Sequence, residues 1–205
     1  MNSPLNTDLV DKAIIFATQA HHGTERRGKG FPYIIHPLEA MEIVATITNN
    51  PDLLCAAVLH DTIEDTEVTY DVIKREFGQH IADLVAQETD VKHLPDGTQL
   101  SWRERKQRDM DNLRESSKEV KIIALGDKLS NMRAIARDYK VKGDELWKIF
   151  HVKDKATHAW RYQGLRDALC ELSDTFAFQE FDRLVRETFE GNDISNEAPT
   201  SFKNK

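Results

Sequence analysis

Residues 60 to 65 read HDTIED, one imidazole and three carboxylates within six positions, directly after the wholly apolar run LLCAAVL. On a helix, residues three and four apart share a face, which pairs His60 with Glu64 and Asp61 with Glu64 and Asp65. Burying one unpaired carboxylate costs several kcal/mol, roughly, so three together need cations nearby. One divalent metal ion meets that need most economically. Imidazole and carboxylate donors in combination suit Mn, Fe, Co or Zn, whereas Ca and Mg prefer oxygen alone. The competing account of such a stretch is a solvated acidic helix end.

Two further positions weigh against that account. His36 stands in YIIHP, at a helix start behind apolar and aromatic residues. Asp127 stands inside IIALGDKLSNM, where a second apolar stretch runs into an acid. Helix propensity and burial both oppose an aspartate there, so it needs a strong partner. The order His36, His60-Asp61, Asp127 resembles the H…HD…D pattern of the HD-domain metal-dependent phosphohydrolases. Four ligands from three separate stretches of the chain would then converge on one ion.

The blocks YIIHP, AAVLHDTIEDT and ALGDKLSNMRAI further resemble the signature blocks of the hydrolase domain of the RelA/SpoT family, across roughly residues 8 to 140. That domain removes the 3′-pyrophosphate from the alarmones ppGpp and pppGpp. The resemblance implies a small stand-alone alarmone hydrolase of the stringent response. It also implies a metal, Mn²⁺ in the family, bound by His36, His60, Asp61 and Asp127, with Glu64 and Asp65 activating and orienting the attacking water. Arg26 and Arg27, in HHGTERRGKGF, fall where the family places a basic pair against phosphate, a task that guanidinium performs by holding two oxygens at once. Lys29 in the same loop is expected to be solvated. Asn131, one helical turn beyond Asp127, matches an asparagine that contacts the nucleoside sugar. Tyr162, from KDKATHAWRYQGL, is nominated for the aromatic that helps hold the base.

The sequence departs from the family in three places. The basic loop is one residue longer, Ser130 replaces an aromatic or histidine, and no aromatic aligns cleanly with the base-holding one. Base preference, guanine or adenine, therefore stays open. Two other functions also stay open: a phosphohydrolase acting on another nucleotide such as a nucleoside monophosphate, and an alarmone sensor without catalysis, against which the intact Glu64 and Asp65 argue.

The elements that must position these residues are helical nearly throughout. Thr7 is a capping candidate for DLVDKAIIFATQA, with Gly23 beyond its end. A helix is expected to start at Pro37, leaving His36 just before it. PDLLCAAVLHDTIED reads as one helix starting at Pro51. Thr69 and Gly78 bracket YDVIKREF, QHIADLVAQETDV follows, and KHLPDGTQL is a connection. Ser101 with Glu104 reads as a capping box for the next helix. EVKIIALGDKLSNMRAIARDY is the most apolar of the later helices, and DELWKIF, DKATHAWRYQGLRDALCEL and TFAFQEFDRLVRETF complete the series. GFPYII allows a short extended stretch. The fold expected is an all-α HD-type bundle of about nine or ten helices, one domain over residues 1–190 with a disordered tail over 191–205.

A chain of 205 residues with 40% hydrophobic and 31% charged residues suits one compact domain. Its net charge of −7 opposes broad binding to nucleic acid or acidic membranes, while a local cationic cluster still suits a small phosphorylated ligand. Cys55 and Cys170 are expected to be buried thiols. His21, His22, His80, His93 and His151 show no partner pattern and are expected at the surface or at helix ends. The N-terminus lacks a basic start followed by an apolar core, and no apolar run approaches the roughly 20 residues of a membrane helix, so a cytoplasmic protein is expected. A homo-oligomer is compatible with the sequence.

Overall fold

A computed structural model describes residues 7–89 and 97–191. Among them the α-helices are α1 (Asp8–Ala20), α2 (Ile35–Ala45), α3 (Pro51–Leu59), α4 (Thr62–Asp65), α5 (Tyr70–Phe77), α6 (Gln79–Glu88), α7 (Trp102–Glu115), α8 (Lys118–Lys142), α9 (Lys155–Ala168) and α10 (Phe176–Val185). Short 3₁₀ turns span Gly143–Ile149 and Cys170–Leu172, and a π-helical turn, Arg186–Glu190, extends α10. The expected tail lies, Gly191 apart, outside the described residues, as do His93 and most of the KHLPDGTQL connection. No helix of the described residues is long and apolar enough to cross a membrane.

End chemistry explains most boundaries. Asn50 accepts from the Asp52 N–H ahead of Pro51, Thr69 accepts from Val72, and Ser101 and Glu104 form the reciprocal capping box. Gly78 takes φ 90° between α5 and α6, a conformation that side chains with a Cβ rarely adopt. Thr7 precedes α1 but makes no side-chain cap. The DELWKIF segment winds as the 3₁₀ turn rather than as an α-helix.

α8 is the axis of the bundle. From Val120 to Leu129 almost every residue is buried, as befits a helix apolar on most sides. It packs most extensively on α2 and α10, with α3 and α6 also against it. Fully burying a side chain such as Leu129 or Ile123 contributes about 1.5–3 kcal/mol. α8 and α2 approach so closely that a Cβ on Gly126 would lie 2.7 Å from the Ala40 carbonyl oxygen. This contact matters below because each helix carries part of the site.

Two boundaries differ from expectation, and both move site residues. α2 begins at Ile35, so His36 sits inside its first turn. Pro37 is tolerated there because first-turn N–H groups have no intrahelical partner. The expected helix from Pro51 through Asp65 breaks after Leu59. His60 Nδ1 lies 2.8 Å from the Ala57 carbonyl oxygen, and Thr62 Oγ1 donates to that of Leu59 at 2.7 Å. These side chains engage carbonyls at the end of α3, which is how such residues compete with a continuing helix. α4 then restarts, with the Asp65 N–H on the Asp61 carbonyl at 2.9 Å. His60 and Asp61 therefore occupy a corner instead of a helix face.

The basic loop is a narrow turn. Glu25 and Pro32 form an isolated antiparallel bridge, and Arg26 and Tyr33 donate backbone bonds to Phe31 and Thr24. Of GFPYII, only Pro32 is in that bridge, and a turn leads from it directly into α2. Cys55 is buried, but Cys170 is exposed on its 3₁₀ turn, and both are free thiols. His21, expected at the surface, is only 3% exposed. Its ring lies 4.9 Å from that of Tyr33, because the loop folds back over the end of α1.

Candidate active site

His36 from α2, His60 and Asp61 from the α3–α4 corner, and Asp127 from mid-α8 meet at the floor of a cleft. His36 Nε2 lies 3.0 Å from Asp127 Oδ1 and 3.5 Å from Asp61 Oδ2. His60 Nε2 lies 3.0 Å from Asp61 Oδ2 and 3.6 Å from Asp127 Oδ1. Donor atoms of His36, His60 and Asp127 all fall within 4.8 Å of one another.

The second nitrogen of each ring is already engaged. His60 Nδ1 faces a carbonyl oxygen, which can only accept, so that nitrogen carries the proton. His36 Nδ1 lies 2.8 Å from Ser130 Oγ. Both Nε2 atoms thus face carboxylate oxygens, with no other side chain between them. Imidazole nitrogens and carboxylate oxygens this close need a proton or a metal ion between them. The donor set, two imidazoles with two carboxylates, fits a divalent transition metal.

Without a metal, protons carry that burden. Burial depresses the His36 pKa, although Asp127 pulls the other way. Burial opposes charge on His60 too, but Asp61 and Asp127 override it and raise this imidazole well above its ordinary value. Asp127 is held well below the usual carboxylate range despite burial, through Lys128 and the two histidines. His60 likewise lowers Asp61 against burial.

Several neighbours shape this cluster without having been singled out from sequence. Tyr33 Oη donates to Asp61 Oδ2 at 2.7 Å, and burial together with Asp61 pushes its pKa upward. Lys128 has a largely buried ammonium ion-paired to Asp127 and to Glu88. Burial would lower its pKa, but these two carboxylates keep it raised. Burial raises Glu88, with Lys128 opposing.

The cleft above has a volume of about 510 Å³. Asp61, Glu64, Asp65 and Asp127 are among the acids that line it, and Arg26, Lys106, Arg108 and Arg161 add cations. Arg26 Nη2 donates to Asn131 Oδ1 at 2.6 Å, while Asn131 Nδ2 donates to Asp127. A chain of hydrogen bonds therefore runs from the basic loop to the cluster. The structure separates the two nominated arginines: Arg26 lines the cleft, whereas Arg27 is exposed and does not. Lys29 also differs from expectation, because its ammonium is ion-paired with Asp138 and largely buried. Tyr162 does not line the cleft. It is 5% exposed and stacks on Phe189 at 5.7 Å, because the apolar side of α9 faces the core. Its neighbour Arg161 lines the cleft instead. Helical spacing on α7 and α9 could have suggested Lys106 and Arg161, but neither lies in a distinctive motif.

Comparisons with known proteins show the family to which the chain belongs. The family profile described as HD domain matches residues 13–151. Over 132 residues the chain is 36% identical to guanosine-3′,5′-bis(diphosphate) 3′-pyrophosphohydrolase MESH1 of Xenopus tropicalis, covering 63% of this chain and 70% of that protein. It is 32% identical over 132 residues to the Aquifex aeolicus guanosine-3′,5′-bis(diphosphate) 3′-pyrophosphohydrolase, covering 64% of this chain but 18% of that longer protein. A crystal structure of a Listeria monocytogenes EGD-e protein superposes with a TM-score of 0.67 at 30% identity, over 76% of this chain and 99% of the other. A metazoan ortholog of SpoT, described as hydrolysing ppGpp, shares the fold with a TM-score of 0.72 at 24% identity, over 91% of this chain and 98% of the other.

Proposed function

The chain belongs to the HD domain family, and on that footing we propose that it removes the 3′-pyrophosphate of ppGpp and pppGpp, leaving GDP or GTP and pyrophosphate. One observation carries the proposal. Two buried imidazole Nε2 atoms, each with its Nδ1 engaged elsewhere, face Asp61 and Asp127 in a cleft that also holds Glu64, Asp65 and Arg26.

His36, His60, Asp61 and Asp127 are the proposed metal ligands; their mixed nitrogen and oxygen character suits a divalent transition metal, and Mn²⁺ is the ion that the family resemblance implies. A divalent cation held there supplies Lewis acidity toward a phosphate oxygen and makes water more acidic. Glu64 accepts the proton of the attacking water, and Asp65 orients that water against the phosphate. Arg26 holds phosphate oxygens in a bidentate grip. Asn131 aims Arg26 through its 2.6 Å hydrogen bond and is available to the sugar. Lys106, Arg108 and Arg161 offset the remaining substrate charge, which the acids of the cleft would otherwise repel.

A second reading concerns the base. With Tyr162 buried, the α9 side of the cleft presents Arg161, whose planar guanidinium stacks on either purine. That favours acceptance of adenine-containing alarmones alongside guanine ones.

The test is a hydrolysis panel of ppGpp, pppGpp, ppApp and nucleoside monophosphates with the purified protein and Mn²⁺, Mg²⁺ or Zn²⁺. Release of pyrophosphate from ppGpp with Mn²⁺ is the expected result. Inactivity on every 3′-pyrophosphate, with turnover of nucleoside monophosphates, would overturn the proposal.

A further inference from the structure

The proposed ligand His36 is tied to α10 by side chains outside the cluster. Its Nδ1 lies 2.8 Å from Ser130 Oγ, and Ser130 Oγ lies 2.7 Å from Glu39 Oε2. Ser130 is 2% exposed, and Glu39 belongs to α2, one turn beyond His36. A hydroxyl has a single proton, and a carboxylate only accepts. That proton therefore goes to Glu39, and Ser130 Oγ accepts from His36. The relay runs in one direction: His36 Nδ1–H to Ser130, Ser130 O–H to Glu39.

Glu39 is itself anchored. Arg133 Nη1 donates to Glu39 Oε1 at 3.3 Å, and its Nε and Nη2 donate to the two oxygens of Glu180 on α10 at 2.9 and 2.7 Å. The guanidinium thus fixes the carboxylate that receives the serine proton.

We propose that Ser130 and Glu39, held by Arg133 and Glu180, are positioning residues that lock His36 in its Nδ1–H tautomer and present Nε2 to the metal. This rests on His36 being a metal ligand, as proposed above. A hydrogen-bond acceptor behind a ligating histidine sets the ring's orientation and raises its basicity, and losing such a partner typically weakens metal binding by about 10–100-fold. His60 reaches the same tautomer differently, through the Ala57 carbonyl. Only the His36 side is open to side-chain mutation.

The experiment uses the full chain stripped of metal. Free Mn²⁺ is followed by electron paramagnetic resonance during titration, and the His36 tautomer is read from long-range ¹H–¹⁵N correlations in the metal-free state. Ser130→Ala is expected to weaken Mn²⁺ binding by about 10–100-fold and to give His36 a mixed tautomer. Ser130→Thr, which keeps the hydroxyl, stays within about threefold of wild type, and Glu39→Gln falls between them. A purely structural role predicts that alanine and threonine follow unfolding temperature and leave the tautomer alone. Ser130→Ala binding Mn²⁺ within about twofold of a tightly binding wild type would overturn the relay while sparing the metal site. A wild type that binds no Mn²⁺ would overturn both.

Discussion

Gly126 separates the demands of helix propensity from those of packing. In an exposed helix interior, Gly→Ala should stabilise by about 1 kcal/mol. In α8 the new Cβ would meet the Ala40 carbonyl oxygen at 2.7 Å and Val44 Cγ2 at 2.8 Å, against an ordinary contact of 3.4 Å or more. The helices must part by about 0.7 Å to restore it. Neither neighbour yields easily, since one is backbone and the other a β-branched side chain with one favoured rotamer. Overpacking of this kind costs about 1–3 kcal/mol, so packing wins over propensity, and Gly126→Ala should lower Tm by a few degrees. The functional effect should be larger. Ala40 is one turn from His36 on α2, and Gly126 precedes Asp127, so parting the helices stretches the 3.0 Å His36–Asp127 approach. With misplacement by about 1 Å costing on the order of 10²-fold, turnover of ppGpp should fall roughly 10- to 100-fold, with weaker Mn²⁺ binding. The assay is thermal unfolding, Mn²⁺ titration and pyrophosphate release on one preparation. A variant with unchanged or higher Tm and wild-type Mn²⁺ affinity would refute the claim that this helix contact sets the ligand geometry.

Arg26→Ala should raise KM for ppGpp by roughly 10- to 100-fold, the worth of a charge-assisted phosphate contact, while Arg27→Ala stays within about twofold; steady-state kinetics showing the reverse would relocate the phosphate grip. Asp61→Ala should lose Mn²⁺ and activity together, whereas Glu64→Ala should keep Mn²⁺ and lose about 10²–10⁴-fold in kcat, with a near-normal kcat refuting the general-base role. Away from the cleft, His80 Nδ1 lies 2.9 Å from Asp52 Oδ2 and Nε2 3.2 Å from Glu119 Oε2, contacts that raise its pKa, Asp52 foremost. A raised histidine stabilises fully below its unfolded pKa of about 6.5 and loses that contribution as pH rises through the folded value. Urea denaturation should therefore show His80→Ala slightly less stable than wild type at pH 5.5 and equal to it at pH 9; a gap that persists at pH 9 would assign the effect to packing.

The helical class, the caps at Thr69, Gly78 and Ser101–Glu104, and the chemical identity of the metal-type residues were all legible in the sequence. Each depends on neighbours within about one turn, or on residue type alone. The corner at His60-Asp61 was not legible, because side-chain competition for the Ala57 and Leu59 carbonyls leaves the apolar pattern unchanged. Nor could the pattern tell Arg26 from Arg27, since adjacent loop residues diverge only once the Glu25–Pro32 bridge sets their directions. His21 looked like a surface residue, and nothing in the pattern marked Lys128, for the same reason. Their burial comes from what packs over them, the basic loop in one case and Glu88 of α6 in the other.

What the sequence determined by itself is therefore the set of helices and the donors available to a metal and a phosphate. What only the tertiary structure decided is which of those donors face one another and in what protonation. The Tyr33–Asp61, His36–Ser130 and Arg26–Asn131 contacts span 28, 94 and 105 residues of chain. Hydrogen bonds act over about 3 Å, and no periodicity within a helix reports which distant helix will come that close.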